Sequence, residues 1–164
     1  MTIRPEASGD EETIHALTEA AFKDMPFSDG DEQHVVDRLR KDADLTLSLV
    51  AEDSERIVGH IAFSPVTISD APRNKRPAYA AMVELGPHRD GPQPVPVFRA
   101  IAEMRVHGAK GIVLLGSNEY YPRFGFEHFP QLAYPGPPPE YFQALLFEGK
   151  MPSGKVDFAP GFNP

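Results

Sequence analysis

Apolar positions change period along this chain, and each change marks an element. Ile14, Leu17 and Ala21 recur at helical spacing and predict an amphipathic helix over about residues 10–22, entered through a Ser8/Glu11 capping box. Met25-Pro26-Phe27-Ser28-Asp29-Gly30 breaks it, and Val35, Val36 and Leu39 predict a second helix over about 31–40. The period then falls to two. Leu45, Leu47 and Leu49 alternate with Thr46 and Ser48, and Ile57, Ile61, Phe63, Val66 and Ile68 follow Asp53-Ser54-Glu55, which reads as a β-hairpin. Ile3-Arg4, closed by Pro5, is a short first strand, and residues 79–85 form another. Val97, Ile101 and Met104 restore helical spacing up to a glycine stop at Gly108, after which Gly111-Ile112-Val113-Leu114-Leu115-Gly116 is a short buried strand. Residues 141–147 and 154–158 are the last strands, and Ala159-Pro160-Gly161-Phe162 predicts a loose C-terminal segment.

Two stretches carry neither period. Residues 86–96 hold Pro87, Pro92, Pro94 and Pro96, and because proline has no N–H to donate, the segment forms neither a helix nor a central strand. Pro135-Gly136-Pro137-Pro138-Pro139 is a stiff loop.

Composition narrows the function classes. At 164 residues the chain is sized for one compact domain spanning 1–164. Its net charge of -8 argues against nucleic acid or an anionic membrane as a partner, since both require clustered Lys and Arg. The absence of cysteine excludes disulfides, zinc–thiolate sites and a cysteine acyl-enzyme. The six histidines show no metal-ligand spacing, so no metal is expected. No apolar run approaches membrane-spanning length and residues 1–6 lack the apolar core of a leader, so a cytoplasmic location is expected.

The chemistry concentrates after the strand at 111–116, where Ser117-Asn118-Glu119 leads into Tyr120-Tyr121-Pro122-Arg123-Phe124-Gly125-Phe126. Ligands in α/β sheets sit at the carboxyl ends of strands, so a phenol there is placed to donate a proton. This phrase resembles the GNAT superfamily of N-acetyltransferases. Leu45-Thr46-Leu47-Ser48-Leu49-Val50-Ala51-Glu52, Val58-Gly59-His60-Ile61-Ala62-Phe63-Ser64-Pro65-Val66, Leu85-Gly86-Pro87 and Pro138-Pro139-Glu140-Tyr141-Phe142 resemble one bacterial branch of it. The resemblance covers nearly the whole chain. It implies an α/β (α+β) fold with a mixed, mostly antiparallel central sheet and helices on both faces.

It also implies acetyl-CoA as co-substrate and direct transfer of the acetyl group to an amine of an unidentified small molecule or protein. The strand at 79–85 is then expected to splay from that at 111–116 and to bond the pantetheine arm through backbone groups of Met82, Val83 and Leu85. The family's glycine-rich pyrophosphate loop is degenerate here, with only Arg89 and Gly91 to represent it, while prolines delete amide donors and Asp90 adds like charge. The segment is also a few residues short, as a frame slip in the gene would leave it. Beyond the second strand, Ser117, Asn118 and Phe124 are expected cofactor neighbours.

Tyr121 matches the family's general acid, against the plainer reading of a core-edge aromatic. For the base, Glu84 is the candidate, against a solvent-facing strand residue. His60 is a second candidate, although a lone strand histidine is more often structural, and His88 has no evident partner. Glu11, Glu12, Asp24, Asp29, Asp31 and Glu32 form an acidic rim that either favours cationic acceptors or is simply solvated. Two alternatives stay open: a GNAT-fold ligand-binding or interaction module with lost or weakened CoA binding, and a homodimer pairing through the strand at 141–147.

Overall fold

The computed structural model of the protein describes residues 1–26, 28–71, 78–85 and 97–163, the side chains of Glu84 and Leu85 excepted. Strands β1 (Thr2–Pro5), β2 (Leu47–Asp53), β3 (Arg56–Ile68), β4 (Tyr79–Leu85), β5 (Gly111–Leu115), β6 (Leu132–Ala133), β7 (Phe142–Leu146) and β8 (Gly154–Phe158) accompany helices α1 (Glu11–Phe22), α2 (Glu32–Lys41) and α3 (Val97–Val106). Sheet order is β1-β2-β3-β4-β5-β7, with β8 paired to the far end of β3 and to β6. The β4–β5 and β6–β8 pairs are parallel and the other strand pairs antiparallel.

Alternation along the strands sorts side chains to two faces. Leu49, Ala51, Ile61, Phe63, Ala80, Met82, Ile112 and Leu114 pack against Val97, Ala100, Ile101 and Met104 of α3. On the opposite face Val50 packs with Ile14 of α1 and Val36 of α2, and Val83 joins them. Helices therefore cover both faces of a mostly antiparallel sheet, as the resemblance implied. A further cluster (Val66, Ile68, Ala81, Val113, Leu132, Phe142, Ala144 and Val156) closes the end where β8 meets β3.

Three local expectations are corrected. The Ser8/Glu11 capping box does not form. Asp10 occupies the N-cap of α1 without a side-chain cap bond, because its carboxylate is taken by Arg4 at 2.7 Å and by the Ala7 N–H at 2.8 Å. The hairpin's first strand starts at Leu47 rather than Leu45. The C-terminal segment is fastened, not loose: Arg38 Nε donates to the Gly161 carbonyl at 2.7 Å, and the Phe162 ring meets Phe158 edge-on at 5.0 Å. Gly161 makes a close approach there: a Cβ would lie 3.2 Å from the Leu39 backbone nitrogen, so any larger residue would make its neighbours give way.

Candidate functional site

The parallel pairing of β4 with β5 is short. It comprises Tyr79↔Gly111, Ala80↔Ile112 and Ala81↔Val113, and stops. On their outer edges both strands continue: β4 stays paired with β3 to Leu85↔His60, and β5 with β7 to Leu115↔Phe142, extended by the Gly116 N–H donating to the Tyr141 carbonyl at 3.0 Å. The loss of pairing is one-sided, so the strands open as a V toward their carboxyl ends. Among the described residues the inner backbone edge of β4 from Met82 to Leu85 has no partner strand there.

A cavity of about 450 Å³ sits at this opening. Met82, from the α3 face, and Val83, from the α1/α2 face, both line it, so the gap passes through the sheet. Leu115, Gly116, Ser117, Tyr120 and Tyr121 form the β5 side.

The turn after β5 explains how Tyr121 is delivered. Ser117 Oγ accepts the N–H groups of Glu119 and Tyr120 at 3.2 and 3.1 Å, which tightens the chain into the single 3-10 turn Tyr121–Phe124. Gly125, at φ 95°, ends the turn in the left-handed conformation that glycine adopts without strain. Tyr121 is 7% exposed, its ring edge-on to Tyr120 at 4.9 Å and to Phe126 at 6.0 Å. A Cβ on Gly116 would fall 2.4 Å from Tyr121 Cε2, so the ring uses the space that this glycine leaves.

Gln143, on β7 and only 2% exposed, donates to the carbonyls of Gly116 and Ser117 at 3.2 Å each and pins the turn from behind. Sequence reasoning missed it, although a lone amide within Phe142-Gln143-Ala144-Leu145-Leu146 is a visible signal. It also missed Tyr134, Phe158 and Phe162, which line the cavity from the chain's last quarter.

The other expected site residues divide. Met82, Val83 and Ser117 border the cavity, while Asn118 is exposed and is not among its lining. Phe124 packs on Phe98 and Tyr120 at 4.9 and 5.3 Å. The backbone of Glu84 pairs with Ile61 and that of Leu85 with His60. The side chains of both, together with His88, Arg89, Gly91 and the rest of residues 86–96, lie outside the described residues.

His60 belongs to a different place. It is fully buried, with Nε2 2.8 Å from Ser48 Oγ and 3.8 Å from Glu6. Ser48 Oγ donates to the Glu6 carboxylate, which also receives Arg40 Nε at 2.7 Å. A hydroxyl has one proton, so His60 Nε2 carries the hydrogen of the remaining bond. Burial pulls the imidazole below its ordinary pKa, with Glu6 opposing, and the ring stays neutral. Burial resists ionisation of Glu6 too, but nearby His60 and the bonds from Arg40 and Ser48 outweigh it and hold the carboxyl at about 2. The group ties β1, β2, β3 and α2 together and does not line the cavity.

Of the acidic rim, Asp29 and Glu32 border a separate groove on the outer side of α1 and α2, and among the described residues none of the six lines the cavity. Asp31 is held by Arg38, which keeps its pKa below the ordinary value. One described group could hold a metal ion: His15, His34 and Asp37 bring ligand atoms within 4.8 Å of one another across α1 and α2, with His15 Nδ1 2.6 Å from Asp37 Oδ2. His34 and Asp37 lie one turn apart on α2, but His15 joins them only through helix packing, so spacing within the chain does not reveal the group. Among the described residues no helix is long and apolar enough to cross a membrane.

No family model matches the chain. The Escherichia coli (strain K12) protein named uncharacterized N-acetyltransferase YhbS is 34% identical over 128 residues, covering 77% of this chain and 74% of that one. A crystal structure of YhbS from Escherichia coli in complex with CoA superposes with a TM-score of 0.83 at 28% identity, covering 99% of this chain and 92% of that one. A GNAT family acetyltransferase from Brucella melitensis in complex with acetyl-CoA superposes with a TM-score of 0.82 at 37% identity, covering 99% and 97%. With 34% identity to one relative over 77% of the chain and superposition on two solved structures over 99% of it, the chain belongs to the GNAT superfamily of N-acetyltransferases.

Proposed function

We propose that the protein transfers the acetyl group of acetyl-CoA directly to an amine of a small molecule or protein. The observation that carries this reading is the one-sided loss of pairing between β4 and β5. It leaves backbone donors and acceptors beside a cavity of ligand size, an edge that fits an extended pantetheine arm as it would fit another strand. The two structural relatives that superpose over nearly their whole length were solved with acetyl-CoA and CoA, which supports the same fit.

Acetyl-CoA supplies the acetyl group as a thioester. The chain's contributions follow from position. Backbone groups of Met82, Val83 and Leu85 are assigned to bind the arm and to meet negative charge developing on the acyl oxygen, because N–H groups fixed in a sheet need no reorganisation. The Tyr121 phenol is assigned the proton for the departing sulfur; it is held in place by its aromatic neighbours and by the Ser117 turn. Glu84, on the splayed half of β4, is assigned removal of the amine proton. Arg89 and Gly91 are assigned to the pyrophosphate ahead of α3, and Ser117, Asn118 and Phe124 to the cofactor's path past β5. Following release of free thiol from acetyl-CoA with a panel of amines tests the reading. Amine-dependent release is expected; none from folded protein across the panel would count against it.

A further inference from the structure

The acceptor side of the cavity has its own chemistry. Among the described residues lining it, none carries a charged side chain. One wall is the end of α1 and its continuation, Phe22 and Met25. The facing wall is aromatic and comes from three separate segments: Tyr134 after β6, Phe158 at the end of β8, and Phe162 in the fastened C-terminal turn.

These rings form an ordered array. Tyr134 stacks on Phe158 with centroids 4.6 Å apart and planes at 19°, and on Phe142 at 5.3 Å and 22°. Phe162 closes the array edge-on to Phe158. The stacking turns ring faces toward one another, so the cavity meets a packed apolar wall of aromatic carbon, which favours another ring or an apolar body of similar width. A polycation would lose water against a lining in which no described residue carries a carboxylate, with only the assigned base Glu84 to meet one of its charges, and a carboxylate-bearing acceptor would find no cation among the described lining residues. Asp29 and Glu32 of the acidic rim border the neighbouring groove instead.

Resting on the acetyltransferase reading above, we propose that the acceptor is a small arylalkylamine: a primary amine on a short linker to an aromatic ring, without a carboxylate. The ring lies between the Tyr134–Phe158–Phe162 wall and Phe22, and the amine points to the mouth of the V beside Tyr121 and Ser117. The cavity of about 450 Å³ includes the Met82 and Val83 stretch assigned to the pantetheine arm, and the acceptor takes the end lined by Phe22, Tyr134, Phe158 and Phe162.

The test is direct binding, measured calorimetrically without acetyl-CoA, of 2-phenylethylamine, n-butylamine, phenylalanine and spermidine, followed by acetyl-CoA turnover with each. Binding of 2-phenylethylamine at least 10-fold tighter than that of the other three is expected, with the same order in kcat/KM. Because Phe158 is also a packing residue, Phe158→Leu and Phe162→Leu are both made, and each is checked for cooperative melting. Each folded variant should narrow the phenylethylamine-to-butylamine binding ratio at least 5-fold. Equal or tighter binding of spermidine or butylamine, or an unchanged ratio in both folded variants, would overturn the proposal. Turnover of such an amine would then leave the acetyltransferase reading standing. Selective arylalkylamine binding with no turnover of any amine would sustain the cavity's chemistry and remove the acetyltransferase reading.

Discussion

From Tyr79 to Ala81, β4 lies in register beside β5, whereas from Met82 onward the same strand keeps β3 and loses β5. The closed half is sealed by small residues. Gly111 sits where a Cβ would come 2.9 Å from the Leu145 carbonyl and 3.1 Å from the Tyr79 ring, so the backbones and one aromatic fill all the space. In the open half another glycine, Gly116, yields its space to the ring of Tyr121. Two glycines five residues apart, one opening β5 and one just past its end, thus serve opposite ends: one lets the sheet close, the other lets a phenol stand at the mouth. Backbone groups are normally paired when buried, so an unpaired strand edge beside a cavity is a site prepared for a ligand that completes the pairing.

Substitutions at the two ends should separate activity from stability. The largest effect is expected for Tyr121→Phe, which removes only the hydroxyl: kcat should fall about 100-fold while acetyl-CoA affinity stays within about 2-fold. Steady-state kinetics with calorimetry checks both, and an unchanged kcat would take Tyr121 out of the mechanism. Next, Gly116→Ala must displace the Tyr121 ring, and a shift of about 1 Å predicts a loss of roughly 10- to 100-fold in kcat/KM with a small change in melting temperature. At the closed end Gly111→Ala reverses the pattern. It should cost about 1–3 kcal/mol of stability by overpacking against backbone, with kcat within about 2-fold of the parent, as denaturant titration and kinetics together would report. Equal activity losses at Gly111 and Gly116 would erase the distinction between the ends.

The smallest effect concerns acid, and it belongs to the polar cluster of Glu6, Ser48 and His60, away from both ends. The folded-state pKa of His60 is lowered, so the unfolded chain binds the extra proton; stability is full above the ordinary 6.5 and declines as pH falls below it. Glu6 titrates at about 2 when folded against an ordinary 4.5, so its contribution is present above 4.5 and is lost between 4.5 and about 2. Thermal melts across pH should show two acid steps, with Glu6→Gln shrinking the lower one, to which Asp10 and Asp31 also contribute, and costing about 1–3 kcal/mol at neutral pH. A profile flat from pH 7 to 3 would contradict both shifts.

How much of this could be read from the chain depended on whether the cause was local. Alternation at Leu47, Leu49, Ile61 and Phe63 and helical spacing at Ile14, Val36 and Met104 located the strands and helices, because burial acts on each element's own period. The phrase from Tyr120 to Phe126 likewise located Tyr121 at the end of β5. Where β4 and β5 part was legible only through family likeness, since pairing is decided between strands and Met82-Val83-Glu84-Leu85 is as strand-like as Tyr79-Ala80-Ala81. The acceptor wall was not legible. Phe158 and Phe162 flank Pro160 and Gly161, which read as a loose end, and it took the Arg38 bond to Gly161, 123 residues distant, to fix them beside Tyr134. The capping box failed for a local reason: Asp10 rather than Ser8 takes the N-cap, and its carboxylate turns back to Arg4, six residues before it.

Titrating acetyl-CoA into the purified protein by calorimetry bears most directly on the open half of β4 and β5 as a cofactor site. Saturable binding at micromolar concentration is the predicted result. No heat at millimolar acetyl-CoA from folded protein would mean that the strands part without admitting the cofactor and that the chain keeps the fold without the chemistry.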